Sequence, residues 1–207
     1  MNAGYVSLLV IIFFLAILFF CYERTKPSAK DLVLVSTLSA FAIFARVIFS
    51  FFPLYNPILA IIMLSGFVLG PFSGFMVGAL SALGSNFIFG QGTWTFYQMF
   101  GYGISGFVFG YIKKFRFIHY FSSIKDYIFL SLMGFCLIIF FVGPLLDLSG
   151  FFMTGMNDWN YLKVILLSGL PFNVFHGLST VITIVFFGKW FSQTVSRILK
   201  KYNTIVS

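Results

Sequence analysis

Charged residues are scarce in this sequence. They make up 9% of its 207 residues, whereas hydrophobic residues make up 60%. A soluble domain of this length carries far more charge on its surface, so the composition excludes one. Long apolar runs with few charges are instead typical of helices that cross a lipid bilayer. We therefore predict an all-α integral membrane protein.

Acidic residues and cysteines are also rare, with five of the former and two of the latter. Cys21 and Cys136 lie far apart, in or beside apolar runs, and make neither a disulfide framework nor a metal site.

The sequence contains no P-loop, no His-Glu-x-x-His motif and no nucleophile elbow. No apolar segment has an Asp or Glu near its middle, where ion-coupled transporters usually place one. If the protein transports uphill, we therefore expect partner subunits to supply the energy.

The hydrophobic pattern divides the chain into seven predicted membrane spans. Their approximate limits are 1–21, 32–52, 58–69, 73–89, 95–112, 127–146 and a long last segment that ends near residue 187. Pro71 separates the third span from the fourth, and Pro171 is expected to kink the last segment or to mark its entry into the membrane. A loop that holds Asp147 and Asp158 is expected before the last segment. The basic tail after residue 187 is mildly amphipathic, as expected at a membrane surface.

Positive charge is concentrated between or after the apolar runs. Eleven of the thirteen Lys and Arg residues form three clusters: Arg24, Lys26, Lys30; Lys113, Lys114, Arg116, Lys125; and Lys189, Arg197, Lys200, Lys201. Such clusters mark the cytoplasmic side of a membrane protein rather than a nucleic-acid site. Seven spans place all three clusters on one side, which predicts an outside N-terminus and a cytoplasmic C-terminus. The turns at 53–57, 90–94 and 147–159, rich in uncharged polar and aromatic residues, then lie outside.

Small residues recur every four positions in the centre of the chain. One row is Gly66, Gly70, Gly74, Gly78 and Ala82, continued by Asn86 and Gly90, and the other is Trp94, Gln98, Tyr102, Gly106 and Gly110. Residues four apart share one face of a helix, and glycines let helix backbones approach closely within a bilayer. The pattern predicts two helices joined by a tight turn, closely packed along the glycines and polar near the turn.

The polar end of this hairpin holds the first candidate site residues, which are Asn86, Gln91, Trp94 and Gln98. Hydrogen bonding between helices alone would explain Asn86 and Gln98, and Trp is also a common interface anchor. A binding mouth would explain the whole group.

Arg46 lies near the outer end of the second span, where it either snorkels to lipid headgroups or places a cation at the rim of a cavity.

The last segment supplies a second group of candidates. Asn173 and His176 lie one turn apart after Pro171, whose missing N–H leaves backbone carbonyls for ligands or side chains. A polar pair within lipid is costly and therefore a functional candidate, and packing of the His against a neighbouring helix explains the pair equally well. Asp147 is expected to be partly buried at the end of a span, and Asp158 to be solvated.

Several runs of the sequence resemble a known family. They are Ala45-Arg46-Val47, Leu69-Gly70-Pro71, the segment 74–82, Ser85-Asn86-Phe87, Gly90-Gln91-Gly92-Thr93-Trp94-Thr95 with Gln98, and Gly169-Leu170-Pro171-Phe172-Asn173 with His176. Over residues 23–190 the chain resembles the substrate-binding (S) components of energy-coupling-factor (ECF) transporters. It is most similar to the group that includes cobalamin-specific members.

The resemblance implies a six-helix core, 23–190, preceded by an additional N-terminal transmembrane helix, 1–22, and followed by a basic cytoplasmic tail, 191–207. It implies a multi-pass protein of a bacterial cell membrane that binds a vitamin from outside, cobalamin or a related corrinoid, beneath the turns at 53–57 and 90–94. The implied substrate-binding residues are Arg46, Tyr55, Asn86, Gln91, Trp94, Gln98, Asp147, Asn173 and His176.

The resemblance also implies partner proteins. A transmembrane coupling protein and two cytoplasmic ATPases would hydrolyse ATP and topple the S component in the membrane, so the chain needs no cofactor or metal of its own. The coupling protein is expected to dock on a small-residue patch of the second span, whose alternative role is internal packing. This patch comprises Ser36, Ser39, Ala40 and Ala42.

Three other interpretations remain open from the sequence. The vitamin could be riboflavin or a queuosine precursor. The protein could be an intramembrane enzyme that uses His176 with Asp147 or Asn173. It could also be an assembly protein without a ligand, in which only the packing glycines matter.

Overall fold

The protein is an all-α membrane protein, as its composition predicts. The computed structural model describes residues 3–52, 54–114, 123–154 and 158–202, and every regular element within them is helical. The elements are α1 (Ala3–Arg24), α2 (Ala29–Phe49), α3 (Ile58–Leu69), α4 (Pro71–Phe89), α5 (Trp94–Lys114), α6 (Ile124–Leu137), a π-helical segment (Ile138–Val142), α7 (Gly143–Thr154) and α8 (Trp159–Tyr202). Helices α1, α2, α4 and α8 and the continuous run from α6 to α7 are long and apolar enough to cross a bilayer.

The central helix is α3, and all twelve of its residues are buried. A helix that is apolar on every side is stable only when other elements surround it. Helices α2, α4, α5 and α8 all pack against α3. At 1.5 Å per residue α3 is about 18 Å long, shorter than the ~30 Å hydrocarbon core of a bilayer. It therefore organises the bundle from within rather than spanning the membrane alone.

Glycines bring the backbones of α3, α4 and α5 into direct contact. A Cβ atom built on Gly74 would lie 2.6 Å from the carbonyl oxygen of Gly106, and one on Gly66 would overlap the Gly106 backbone. The same holds further along α5, where a Cβ on Gly110 would overlap Pro71. Because backbone cannot move aside as a flexible side chain can, no larger residue fits at these positions.

The glycine row is shared by three helices, whereas the sequence pattern predicted two. Gly70 has φ 98° and ends α3, and Pro71 then begins α4. A positive φ is readily adopted by glycine, and Pro is favourable in the first turn of a helix because its missing N–H is not needed there. Gly66 therefore reaches the contact from α3, while Gly74 and Gly78 reach it from α4.

The last two predicted spans are longer than the sequence suggested. Asp147 was expected in a loop, but it lies within α7, and α8 continues without a break past residue 187. Pro171 lies inside α8.

The π-helical segment lies directly before Gly143 and Pro144. Because Pro144 has no N–H, it interrupts the α-helical hydrogen-bond ladder, and the N–H of Gly143 bonds to the carbonyl of Ile138.

Helix α1 packs against α4, α5 and α7. The Ser7 hydroxyl hydrogen-bonds to the Tyr97 hydroxyl on α5, and the ring of Phe19 packs edge-on against Phe75 of α4. Gly4 lies close to the backbone of Phe152 on α7. The additional N-terminal helix is therefore part of the packed bundle.

We expect Gly106→Ala to destabilise the protein even though Ala is the better helix former. The added methyl would overlap the Gly74 backbone on α4, and such overpacking costs about 1–3 kcal/mol, which corresponds to a fall in Tm of roughly 5 °C. Thermal unfolding of the purified protein in detergent measures the effect. Gly150→Ala is the matched control, because a Cβ on Gly150 meets nothing within 4 Å. Equal Tm values for Gly106→Ala and Gly150→Ala would contradict the role of the glycine contact.

Candidate functional site

The site lies where α2 and α4 end and α5 begins, which we call the site end of the bundle. Arg46 on α2 points from this end toward α4. Its Nη1 atom donates hydrogen bonds to Ser85 Oγ and to Asn86 Oδ1, the latter at 3.2 Å. Its guanidinium carbon lies 4.8 Å from the centre of the Phe89 ring, a cation–π contact. Since Ser85 and Asn86 are buried, Arg46 faces the interior of the bundle.

Asn86 carries the hydrogen bonding on to α5. Its Nδ2 atom donates to Gln98 Oε1 at 2.6 Å and to Thr95 Oγ1 at 3.1 Å. Thr95 in turn donates to Gln91 Oε1 at 2.9 Å and accepts a bond from the N–H of Gly92 at 3.2 Å. One connected set of polar side chains therefore joins α2, α4, α5 and the turn at 90–94. We call Arg46, Ser85, Asn86, Gln91, Thr95 and Gln98 the polar network.

The turn that closes the network is shaped by two glycines and one Trp. Gly90 has φ 106° and ends α4. A Cβ on Gly92 would overlap the ring of Trp94, so the indole lies directly against the turn. Gln91 Nε2 donates to the carbonyl of Leu83 at 3.1 Å and ties the turn back to α4. An aromatic ring is thus held beside the polar network.

The segment between α2 and α3 contacts α8. The Tyr55 hydroxyl lies 2.9 Å from Thr183 Oγ1, and the backbone N–H of Asn56 donates to Ser179 Oγ at 2.8 Å. The Tyr55 ring packs edge-on against Phe49 at the end of α2, with centroids 5.0 Å apart. Tyr55 is therefore fixed between α2 and α8.

Asp147 and Asn173 form a second polar contact, between α7 and α8. Asn173 Nδ2 donates to Asp147 Oδ2 at 3.0 Å. Gly169 and Gly143 leave room for the pair, because a Cβ on Gly169 would overlap the Asp147 carboxylate and one on Gly143 would overlap the Asn173 amide. His176 is half-buried on α8 and forms no hydrogen bond with either residue. Asp147 is therefore paired with Asn173 and not with His176.

The four residues of the expected docking patch do not share one surface. Ser39 and Ala42 are buried, and Ser39 Oγ bonds to the carbonyl of Val35 on its own helix at 2.8 Å and lies 3.5 Å from that of Val77 on α4. Ser36 and Ala40 are exposed. Small residues serve internal packing as well as docking, so Ser39 and Ala42 already contribute to the packing of this chain, and the docking patch stays a prediction.

Sequence reasoning missed several residues that complete the site. Ser85 and Thr95 bond directly within the polar network, Phe89 covers the Arg46 guanidinium, and Ser179 and Thr183 hold the segment around Tyr55. The available signal was position, since Ser85 adjoins Asn86 and Thr95 adjoins Trp94. Hydroxyl residues are common in membrane helices, however, and their partners depend on the tertiary fold.

Comparison with known families identifies the family of this chain. A family model described as "ECF-type riboflavin transporter, S component" matches residues 26–192. No curated protein and no solved structure matches the chain. The matched segment contains every residue of the polar network, together with Tyr55, Asp147, Asn173 and His176. The family is that of riboflavin rather than the cobalamin-type group expected from the sequence.

We expect Asn86→Leu to destabilise the protein, because it removes the acceptor of Arg46 and the donor to Gln98. Leaving these groups unsatisfied costs about 1–3 kcal/mol each. Thermal unfolding in detergent should show a lower Tm for Asn86→Leu and almost no change for Phe87→Leu, since Phe87 is exposed. The double variant Arg46→Met, Asn86→Leu should lose less stability than the sum of the two single variants. Strict additivity would show that Arg46 and Asn86 do not depend on each other.

Proposed function

Because the chain belongs to the ECF-type riboflavin transporter S component family, we propose that it captures a flavin outside the cell for import. Members of this family are the substrate-specific membrane subunits of ECF transporters. The family match carries the proposal, and the polar network beside Trp94 is consistent with it. A flavin has a flat aromatic ring system with polar edges, which suits an indole placed next to amide and guanidinium groups.

We place the ligand at the site end, among Arg46, Gln98 and Trp94. The bound ligand would also lie near Tyr55 and His176, since the segment around Tyr55 is attached to α8. Asp147 and Asn173 satisfy each other, so their proposed role is to position α8 rather than to hold the ligand. The positive clusters at the opposite ends of the helices support an orientation in which the site end faces outward and the C-terminus is cytoplasmic.

The import step would require partner proteins. The sequence contains no P-loop, so ATP hydrolysis would come from partner subunits. A transmembrane coupling protein and two ATPases would supply the energy. On α2, Ser36 and Ala40 remain exposed for docking of the coupling protein, whereas Ser39 and Ala42 are buried.

Flavin binding by the purified protein tests this function. We expect riboflavin fluorescence to be quenched saturably in detergent or nanodiscs, and the affinity to fall about tenfold or more in Trp94→Ala and Gln98→Ala. Trp159→Ala and Gln193→Ala are matched controls, because both residues are exposed on α8 and should bind like the wild type.

Other outcomes would revise the proposal in defined ways. Binding of cobalamin or a queuosine precursor in place of a flavin would keep the S-component role and overturn the flavin. If no compound binds, uptake should be measured in cells that also express the coupling protein and the ATPases. Failure of uptake as well would overturn the proposed function.

A further inference from the structure

The direction of hydrogen bonding in the polar network is set by Arg46. A guanidinium group can only donate hydrogen bonds. Asn86 therefore has to present its oxygen to Arg46, and its NH₂ group has to face α5. This orientation follows from chemistry alone, because the reverse orientation would place two donors against each other.

The orientation of Asn86 in turn fixes which atoms donate and which accept in Thr95, Gln91 and Gln98. Gln98 Oε1 and Thr95 Oγ1 accept from Asn86, so Thr95 donates to Gln91 Oε1, and Gln91 Nε2 donates to the carbonyl of Leu83. The side-chain oxygens of all three amides are thus engaged. Within the polar network, the side-chain polar atoms left without a protein partner are all donors. They are Gln98 Nε2 and the Nε and Nη2 atoms of Arg46.

Arg46 also has no negative partner. All five acidic residues of the sequence lie in the described part of the chain, and none of them bonds to Arg46. Asp147 is occupied by Asn173, and Asp158 accepts from the N–H of Asn160 at the start of α8. The side chains that contact the guanidinium, Ser85, Asn86 and Phe89, are all uncharged. Arg46 is only partly exposed, and a cation that is partly withdrawn from water is stabilised by an anion beside it.

We propose that the natural ligand presents an oxyanion, a phosphate or a carboxylate, to Arg46 and to Gln98 Nε2. This inference rests on the proposed function in that the ligand enters at the site end. A guanidinium fork binds such groups through two parallel hydrogen bonds, and Gln98 adds a third donor. The partner is a soluble ligand rather than a lipid headgroup, because the two side chains that accept hydrogen bonds from Arg46, Ser85 and Asn86, are buried within the bundle. Among flavins, the phosphorylated form is therefore preferred over riboflavin.

The first test uses inorganic phosphate alone and does not depend on a flavin. Thermal unfolding of the full chain in a maltoside detergent is compared in phosphate and in chloride at equal ionic strength. We expect phosphate to raise the Tm of the wild type and to leave that of Arg46→Gln unchanged, with a partial effect for Arg46→Lys, which keeps the charge and loses the fork. Arg24→Gln is the matched control, since Arg24 also lies 4.8 Å over a Phe ring but at the far end of α1.

Two outcomes of this test would overturn the inference. One is the absence of any stabilisation of the wild type by phosphate or by acetate. The other is an Arg46-dependent rise in Tm that occurs in vesicles of phosphatidylglycerol but not with soluble oxyanions. That result would show that Arg46 binds lipid headgroups. If Arg46→Gln does not fold, Arg46→Lys with its weaker response still distinguishes the outcomes.

The second test compares two flavins that differ only in the anionic group. We expect flavin mononucleotide to bind the wild type about tenfold more tightly than riboflavin, and the preference to vanish in Arg46→Gln. Equal or tighter binding of riboflavin would overturn the inference while leaving the proposed function intact. If neither flavin binds but phosphate stabilises through Arg46, the oxyanion site stands and the flavin function falls.

Discussion

The close backbone contact of α3, α4 and α5 at their glycines is the constraint on which the site depends. Because Gly66, Gly74 and Gly106 touch through backbone atoms, the three helices have one permitted register. Asn86 lies about three turns beyond Gly74, and Gln98 about two turns before Gly106. A slip of one residue would move one helix by about 1.5 Å against the other. The 2.6 Å bond between Asn86 and Gln98 would not survive that movement, so the packing determines the polar network.

The sequence predicted most of the fold but not its continuity. The apolar pattern located α3 at 58–69, as the structure confirms, and it indicated a break at Pro71. It also assigned the whole glycine row to one helix face, which the positive φ of Gly70 prevents. Asp147 suggested a loop because a lone carboxylate is rarely stable within a membrane helix. Its partner Asn173 lies 26 residues away, and no local pattern reveals such a pairing.

For the candidate site as well, the sequence predicted which residues matter but not how they are arranged in space. The spacing alone predicted that Asn86, Gln98 and Trp94 lie at one end of a hairpin, because residues that repeat every four positions share one face of a helix. The family resemblance placed Ser39 and Ala42 on a docking surface, whereas both are buried in this chain. Which face of α2 is buried depends on its neighbours, and small residues are suited to either use. The donor direction through Asn86 is likewise invisible in the sequence, since an amide offers both an oxygen and an NH₂ group.

Helix α1 lies outside the matched segment 26–192, yet it supports the site. Its Ser7 hydroxyl bonds to Tyr97, the residue that precedes Gln98 on α5. Neighbouring residues of a helix point about 100° apart, so the side chain of Gln98 points in a different direction from that of Tyr97, which contacts α1. Hydrogen bonds between helices in a membrane contribute about 1 kcal/mol, which is enough to steady the first turns of α5. The additional helix therefore stiffens α5 beside the polar network without closing the side from which an anionic ligand would reach Arg46.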